Sequence, residues 1–422
     1  MILSFAILCI QAAGSSEPNA GEMETISAHD ILKDIRSGNL EPIDGAIING
    51  SLDLRNLKDP IRGDIKITNS IINGPVNFAG KTFEGQVDFS GTTFNDEVTL
   101  FDTQKNDNKP LYTIFEKKVH LVDTHFIKDA DFKYVQFDGG NSFDRISFDG
   151  KALFNYAKFS NGADFDDAQF KDIAFFTGVI FSNASTIFQN SCFEKDALFN
   201  YANFGLHDAN FNSAKFSGVA NFRNAEFNGD AQFNYTLFNG DASFIDAIFD
   251  QMLYLKGSKF GRLYIRWEDI DGKLAHDDEV YLRLVENYKN IGSFADADNC
   301  YYSHRVLRRS NLSWSHKLLD LPLLAFYGYG VKPLRPIIWS FVVVLSFALW
   351  FWASVYRDCP LKRALKFSVK AFLSGTKPFS TDLLEFSKLE KKYKDRAVLE
   401  RFLGTLFFLL FLITLANTVI IK

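Results

Sequence analysis

Phenylalanine returns on a fixed beat from Leu153 to Ile265, and that beat admits very few folds. Through Phe216, Phe222, Phe227, Phe233, Phe238, Phe244 and Phe249 the steps alternate between six and five residues. Two places before each Phe stands a small residue: Ala214, Ala220, Ala225, Ala231, Thr236, Ala242 and Ala247. Residues two apart in an extended segment point to the same side. The residues between are mostly Asp, Asn, Lys, Gln and Ser, so the Phe/Ala side is the buried one. The pattern restarts too soon for a strand-turn-strand hairpin. Each unit is therefore one short side of a polygon, closed by a corner turn. Four sides make a coil of about 22 residues, which sets each Phe over another roughly 4.8 Å away, the strand spacing. Rings at that distance can stack offset. The six-residue steps often carry Asn-Gly, as at Asn228-Gly229 and Asn239-Gly240. Gly is expected there to supply a positive φ to the longer corner. The predicted fold class is a mainly β solenoid.

The motif Ala-x-Phe-x-x stands as Ala163-Asp164-Phe165-Asp166-Asp167 and as Ala225-Glu226-Phe227-Asn228-Gly229. It resembles the pentapeptide-repeat family in its Phe-centred variety, over about half the chain. The resemblance implies a right-handed quadrilateral β-helix and says little about function. The sixth residue in alternate repeats departs from a strict five-residue pattern. Some members of that family are acidic rods that imitate DNA. Residues 76–260 hold 25 Asp and Glu against 16 Lys and Arg, a modest and interleaved excess that does not support such a role.

The flanks divide the chain further. Met1 to Ala20 opens with an apolar run, Ile2 to Ile10, followed by small residues. It is too short to span a bilayer and is expected to be a signal peptide over 1–20, although a basic start is missing. Ser27 to Gly38 predicts a helix with Ala28, Ile31, Leu32 and Ile35 on one face, Ser27 as N-cap and Gly38 as stop. A solenoid needs its open end covered, so residues 21–42 are assigned as the N-terminal cap. The β-helix is placed over 43–265. It begins in aliphatic form at Ile43, Ile48, Leu54, Ile61, Ile67 and Ile72 and turns to Phe at Phe78. The polar stretch Asp102 to Pro110 predicts a loop thrown out of the coil. Helical periodicity over 266–332 predicts a hairpin and linker, with Asp277 as an N-cap and the hairpin covering the far end of the rod. Asp296-Ala297-Asp298-Asn299 lacks the Gly and terminal Glu of a calcium loop.

Residues 333–422 form the last module. Ile337 to Tyr356 and Phe402 to Ile421 are two charge-free runs of bilayer length, with Trp339, Trp350, Trp352 and Tyr356 suited to interfaces. The stretch Ala364 to Gly375 between them looks like the pore helix of a two-helix ion channel. The run Glu400-Arg401-Phe402-Leu403-Gly404 looks similar to the start of its inner helix. Ser374-Gly375-Thr376-Lys377-Pro378-Phe379 stands where a potassium filter would, and no filter motif is present. Tyr327-Gly328-Tyr329-Gly330 has filter-like letters but precedes the first run. The segment Arg357 to Arg401 carries twelve Lys and Arg, which favours a cytoplasmic loop and an outside rod.

Net charge is −5, so nothing points to nucleic acid. The four cysteines, Cys9, Cys192, Cys300 and Cys359, show neither zinc spacing nor a disulfide framework. No catalytic, cofactor-binding or metal-ligating residues are assigned, and no enzyme is expected. The sequence reading is a two-pass protein of the cell membrane with an extracellular β-helix that is structural or binds a partner. Its partners are membrane lipid, another protein or an envelope component, and further copies of itself. The alternative is a channel-like module with a degenerate pore loop, regulated by the β-helix.

Overall fold

A computed structural model describes residues 23–102, 112–374 and 391–420 and divides the chain into two compact units, Met1–Val280 and Tyr281–Lys422. The expected signal peptide and most of the expected loop after Asp102 lie outside the described residues.

The first unit is a parallel β-solenoid, most of whose strands are two residues long. Within one coil Lys215–Phe216, Ala220–Asn221, Glu226–Phe227 and Ala231–Gln232 occupy the four sides. Each pairs in parallel with its equivalent a coil further on, as Phe216 does with Phe238 and Phe227 with Phe249. The longest sheet has eleven strands. One face is split into a five-stranded and a two-stranded piece, and Asn203 joins them by single bridges to Ile180 and Glu226. The alternating beat is thus borne out as four stacked faces.

Stacking follows from that register. Phe222 lies 4.9 Å from Phe199 and 4.8 Å from Phe244, with ring planes within 5° of parallel. Neighbouring ladders meet edge to face, as Phe211 and Phe222 do at 5.4 Å and 85°. Both arrangements suit the aromatic quadrupole. The steps to Phe188 and Phe211 are seven residues long, from Phe181 and Phe204, yet they do not break the stack, since Phe165, Phe188 and Phe211 remain 4.8 and 5.0 Å apart.

The corners correct one expectation. Gly218, Gly229 and Gly240, in the six-residue steps, do not adopt positive φ. They are glycine because the coils approach too closely for a side chain. A Cβ on Gly240 would fall 2.2 Å from the carbonyl oxygen of Gly218, and one on Gly229 would fall 2.3 Å from that of His207. Positive φ falls instead in the five-residue steps here, at Ser213, Asn224, Tyr235 and Asp246, whereas Gly162, in the six-residue step from Phe159 to Phe165, has the expected positive φ. The Asp or Asn that precedes many of the Phe residues has a local cause too. Its side-chain oxygen accepts the N–H two residues on, from Arg223 to Asn221 at 3.1 Å and from Lys133 to Asp131 at 3.0 Å. That bond helps form the turn.

At the N-terminal end, α1 (Ala28–Ser37) has Ser27 Oγ accepting from the His29 N–H and a left-handed Gly38 after its last turn. A strand not expected from sequence, Glu24–Ser27, precedes it and pairs with Ala46–Asn49. At the far end of this unit, α2 (Trp267–Ile270) buries Trp267 and Ile270. Leu274 is also buried, and the Ala275 N–H reaches the Leu253 carbonyl, closing the last coil.

Helices follow: α3 (Asp278–Asn290), α4 (Phe294–Ser310), α5 (Trp314–Tyr327), α6 (Leu334–Ser354), α7 (Leu361–Leu373) and α8 (Lys391–Leu415). Asp277 caps α3 as expected, accepting from Glu279 and Val280. The stretch Asp296 to Asn299 is the first turn of α4 rather than a loop. Cys300 and Cys359 are free thiols, whereas Cys192 is disulfide-bonded, which the wide cysteine spacing gave no reason to expect.

Candidate functional site

The two apolar runs become helices long and apolar enough to cross a membrane, Leu334–Ser354 and Tyr393–Thr418. The second starts well before its charge-free run. Tyr393 lies beside the C-terminal end of α6, with its hydroxyl 3.5 Å from the Ser354 carbonyl and its ring 5.8 Å from Trp350. The two long helices are therefore antiparallel.

Between them α7 doubles back. Its sequence is amphipathic: Ala364, Phe367, Ser368, Ala371 and Phe372 are buried, while Lys362, Lys366 and Lys370, spaced at i, i+4 and i+8, are exposed. Its first turns stand at the end of α6, where Arg363 lies 5.6 Å over the Tyr356 ring and Phe367 meets Phe351 edge-on at 4.9 Å. Next, Ser368 Oγ lies 2.8 Å from the Val344 carbonyl and also bonds the buried Glu400 carboxyl of α8. Val344 is ten residues before Ser354, which places it ~15 Å along α6. The Phe372 carbonyl then closes on α8 at Gly404, where a Cβ would sit 2.2 Å from that oxygen. Gly404 is eleven residues past Tyr393, or ~16 Å along α8. So α7 leaves the end of α6 and finishes at about half the ~30 Å thickness of a bilayer core. The described chain resumes at Lys391, back at the level where α7 began.

The sequence singled out Ala364 to Gly375 and Glu400 to Gly404 separately, and the structure brings them together through Ser368, Glu400, Phe372 and Gly404. Gly375 and the residues after it through Phe379 lie outside the described residues. Tyr327 is the half-buried last residue of α5, and Gly328 to Gly330 is a buried turn ahead of α6.

That turn belongs to a polar cluster that sequence reasoning missed. Asp320, in α5, is buried. The Tyr329 hydroxyl donates to its carboxylate, Arg309 Nε lies 3.3 Å from it and Arg305 3.6 Å. Arg305 also covers the Tyr329 ring at 4.9 Å. Burial, and after it the Asp320 carboxylate, push the Tyr329 phenol well above its usual value. Arg335 reaches the Tyr302 hydroxyl at 2.8 Å, tying the start of α6 to α4. The available signal was a lone Asp among leucines, read there as part of a linker.

On the rod, carboxylate oxygens of Asp144, Asp166 and Asp167 lie within 4.8 Å of one another. Burial raises Asp144 and Asp166 above the ordinary carboxylate range, and the neighbouring acids add to it. Arg145 already pairs Asp144 and Asp123, and all three acids are partly exposed. We assign no ion to them.

Comparison with known families agrees with the coil geometry. Residues 211–259 match the family described as Pentapeptide repeats (9 copies). The stacked ladder of the solenoid runs on either side of that stretch. No curated protein and no solved structure matches the chain.

Proposed function

We propose that the chain is a two-pass integral membrane protein that joins a β-helical ectodomain to a channel-like module. The path of α7 carries this reading. A helix that enters to mid-depth and returns to the same side is re-entrant, and such a segment persists in a bilayer only where protein or water covers it. Exposed Lys366 and Lys370 at that depth call for a water-filled cavity, which several copies around an axis would supply. The rod is assigned outside because the basic segment between the spans favours the cytoplasm. Its role there is structural or partner-binding, and no enzymatic role is assigned. The competing reading is a plain two-helix anchor, favoured by the missing potassium filter.

Potential-driven ion flux into liposomes holding the purified full-length protein separates the two. The expected result is flux of small ions without potassium selectivity, reduced by Gly404→Leu, which forces α7 away from α8. Absence of flux for every ion would leave the anchor. Orientation is tested by Asn239→Cys, which is exposed on the rod. An impermeant thiol reagent on intact cells should label it, and protection would reverse the topology.

A further inference from the structure

α5 is built inside out. In a water-facing helix the apolar stripe turns inward and the charges outward. Here the single acid, Asp320, is buried and held by Tyr329, Arg305 and Arg309. The apolar residues face outward: Trp314 is 76% exposed, Leu319 76%, Leu318 50%, Leu321 46% and Leu323 39%. A row of that size on one helix is not the ordinary scatter of surface leucines.

We propose that this face of α5 is bedded in the lipid bilayer as a third membrane-contacting helix. The proposal rests on the membrane reading given above. Continuity with the candidate spans identifies the occupant. Near the end of α5, Phe326 meets Trp339 of α6 edge-on at 5.2 Å and Phe407 of α8 at 5.5 Å. Trp339 Nε1 also donates to the Ala325 carbonyl at 2.9 Å. The bilayer that surrounds the spans, with its interface at Trp339 and its hydrocarbon at Phe407, therefore reaches α5 as well. Leu319 lies seven residues from Phe326, ~10 Å along the helix. Charge at the other end fits the headgroup region. Arg308 is exposed and Lys317 half-buried beside Trp314, a grouping that suits phosphate and an interfacial indole. The Asp320 cluster is the necessary counterpart: with leucines outside, polar groups must find partners within.

Nitroxide labels test this in liposomes holding the full chain. The background carries Cys359→Ser, keeps Cys192 in its disulfide and the buried Cys300 in place, and must itself take up no label. Leu319→Cys is the probe, Leu345→Cys on α6 the bilayer reference and Leu282→Cys on α3 the water reference; both references are exposed. The expected outcome is that oxygen relaxes the Leu319 label several-fold more than a water-soluble nickel chelate does, matching Leu345 and opposite to Leu282. Nickel-favoured relaxation at Leu319 beside oxygen-favoured relaxation at Leu345 overturns this proposal and leaves the membrane reading intact. Nickel-favoured relaxation at both removes the membrane reading and this proposal with it. If Leu319→Cys fails to fold, Leu323→Cys on the same face carries the same three outcomes.

Discussion

Replacing Phe222 by Ala removes one ring from the middle of a ladder. Phe222 is fully buried, stacked at 4.9 and 4.8 Å on Phe199 and Phe244 and met edge-on by Phe211 and Phe233 at 5.4 and 5.5 Å. Burying a Phe and filling its cavity are together worth about 3–5 kcal/mol. The upper part of that range applies here, because backbone pairing fixes the coil spacing and the neighbouring rings cannot close the gap. Aromatic pairs add about 0.5–1.5 kcal/mol beyond area, and six are lost, those with Phe216 and Phe227 included. For a domain of this size each kcal/mol shifts the melting point by about 2–4 °C, so a drop of roughly 10 °C or more is expected. Phe222→Asp, which buries an unpaired charge, should prevent the rod from accumulating. Asn221→Asp is the control, since an Asp oxygen can still accept the Arg223 N–H, and it should stay within about 0.5 kcal/mol of wild type. The assay is thermal unfolding of the full-length protein in detergent, followed by circular dichroism. Phe222→Ala melting with the wild type, or Asn221→Asp falling as far, would refute the assigned register.

Gly240→Ala should lower the melting point by several degrees because its Cβ would strike the Gly218 carbonyl, whereas Asn224→Gly should be nearly silent; the reverse order would restore positive φ as the reason for the glycines. Asp166 is held above its unfolded value, so its charged form costs stability as pH rises through that raised value, and protonation below it relieves the cost. Asp166→Asn should therefore melt about 1–3 °C higher than wild type at pH 7 and equal to it at pH 3, and a difference of the same size at both values would deny the charge mechanism. Asp320→Ala leaves Arg305 and Arg309 without their shared carboxylate; a buried pair broken in this way costs about 3–5 kcal/mol, and guanidinium side chains still 29% and 26% exposed bring that to ~2 kcal/mol. Thermal unfolding in detergent checks it, with Tyr329→Phe expected to lose about half as much.

The beat of Phe and Ala was enough to determine the solenoid, its four faces and its buried columns, because a period-two pattern with a corner every five or six residues leaves no other way to bury Phe. Ser27 and Gly38 likewise marked α1, since capping is a local hydrogen bond between near neighbours. Charge-free runs marked the two long helices, since length and composition alone set that property. The reason for the corner glycines was not legible. A short step with Asn-Gly looks the same whether the residue needs positive φ or room, and only the carbonyl of the preceding coil, some 22 residues earlier, shows that Gly240 needs room. The same holds for the C-terminal module. Ser368 and Glu400 are 32 residues apart in sequence, and Asp320 sits nine residues from Tyr329 among leucines. The amphipathic pattern of α7 and the leucines of α5 state which face is apolar, but not whether that face meets protein or lipid. That depends on which neighbours the fold leaves beside it, and tertiary packing decides it by burying Phe367 against Phe351 while leaving Leu319 uncovered.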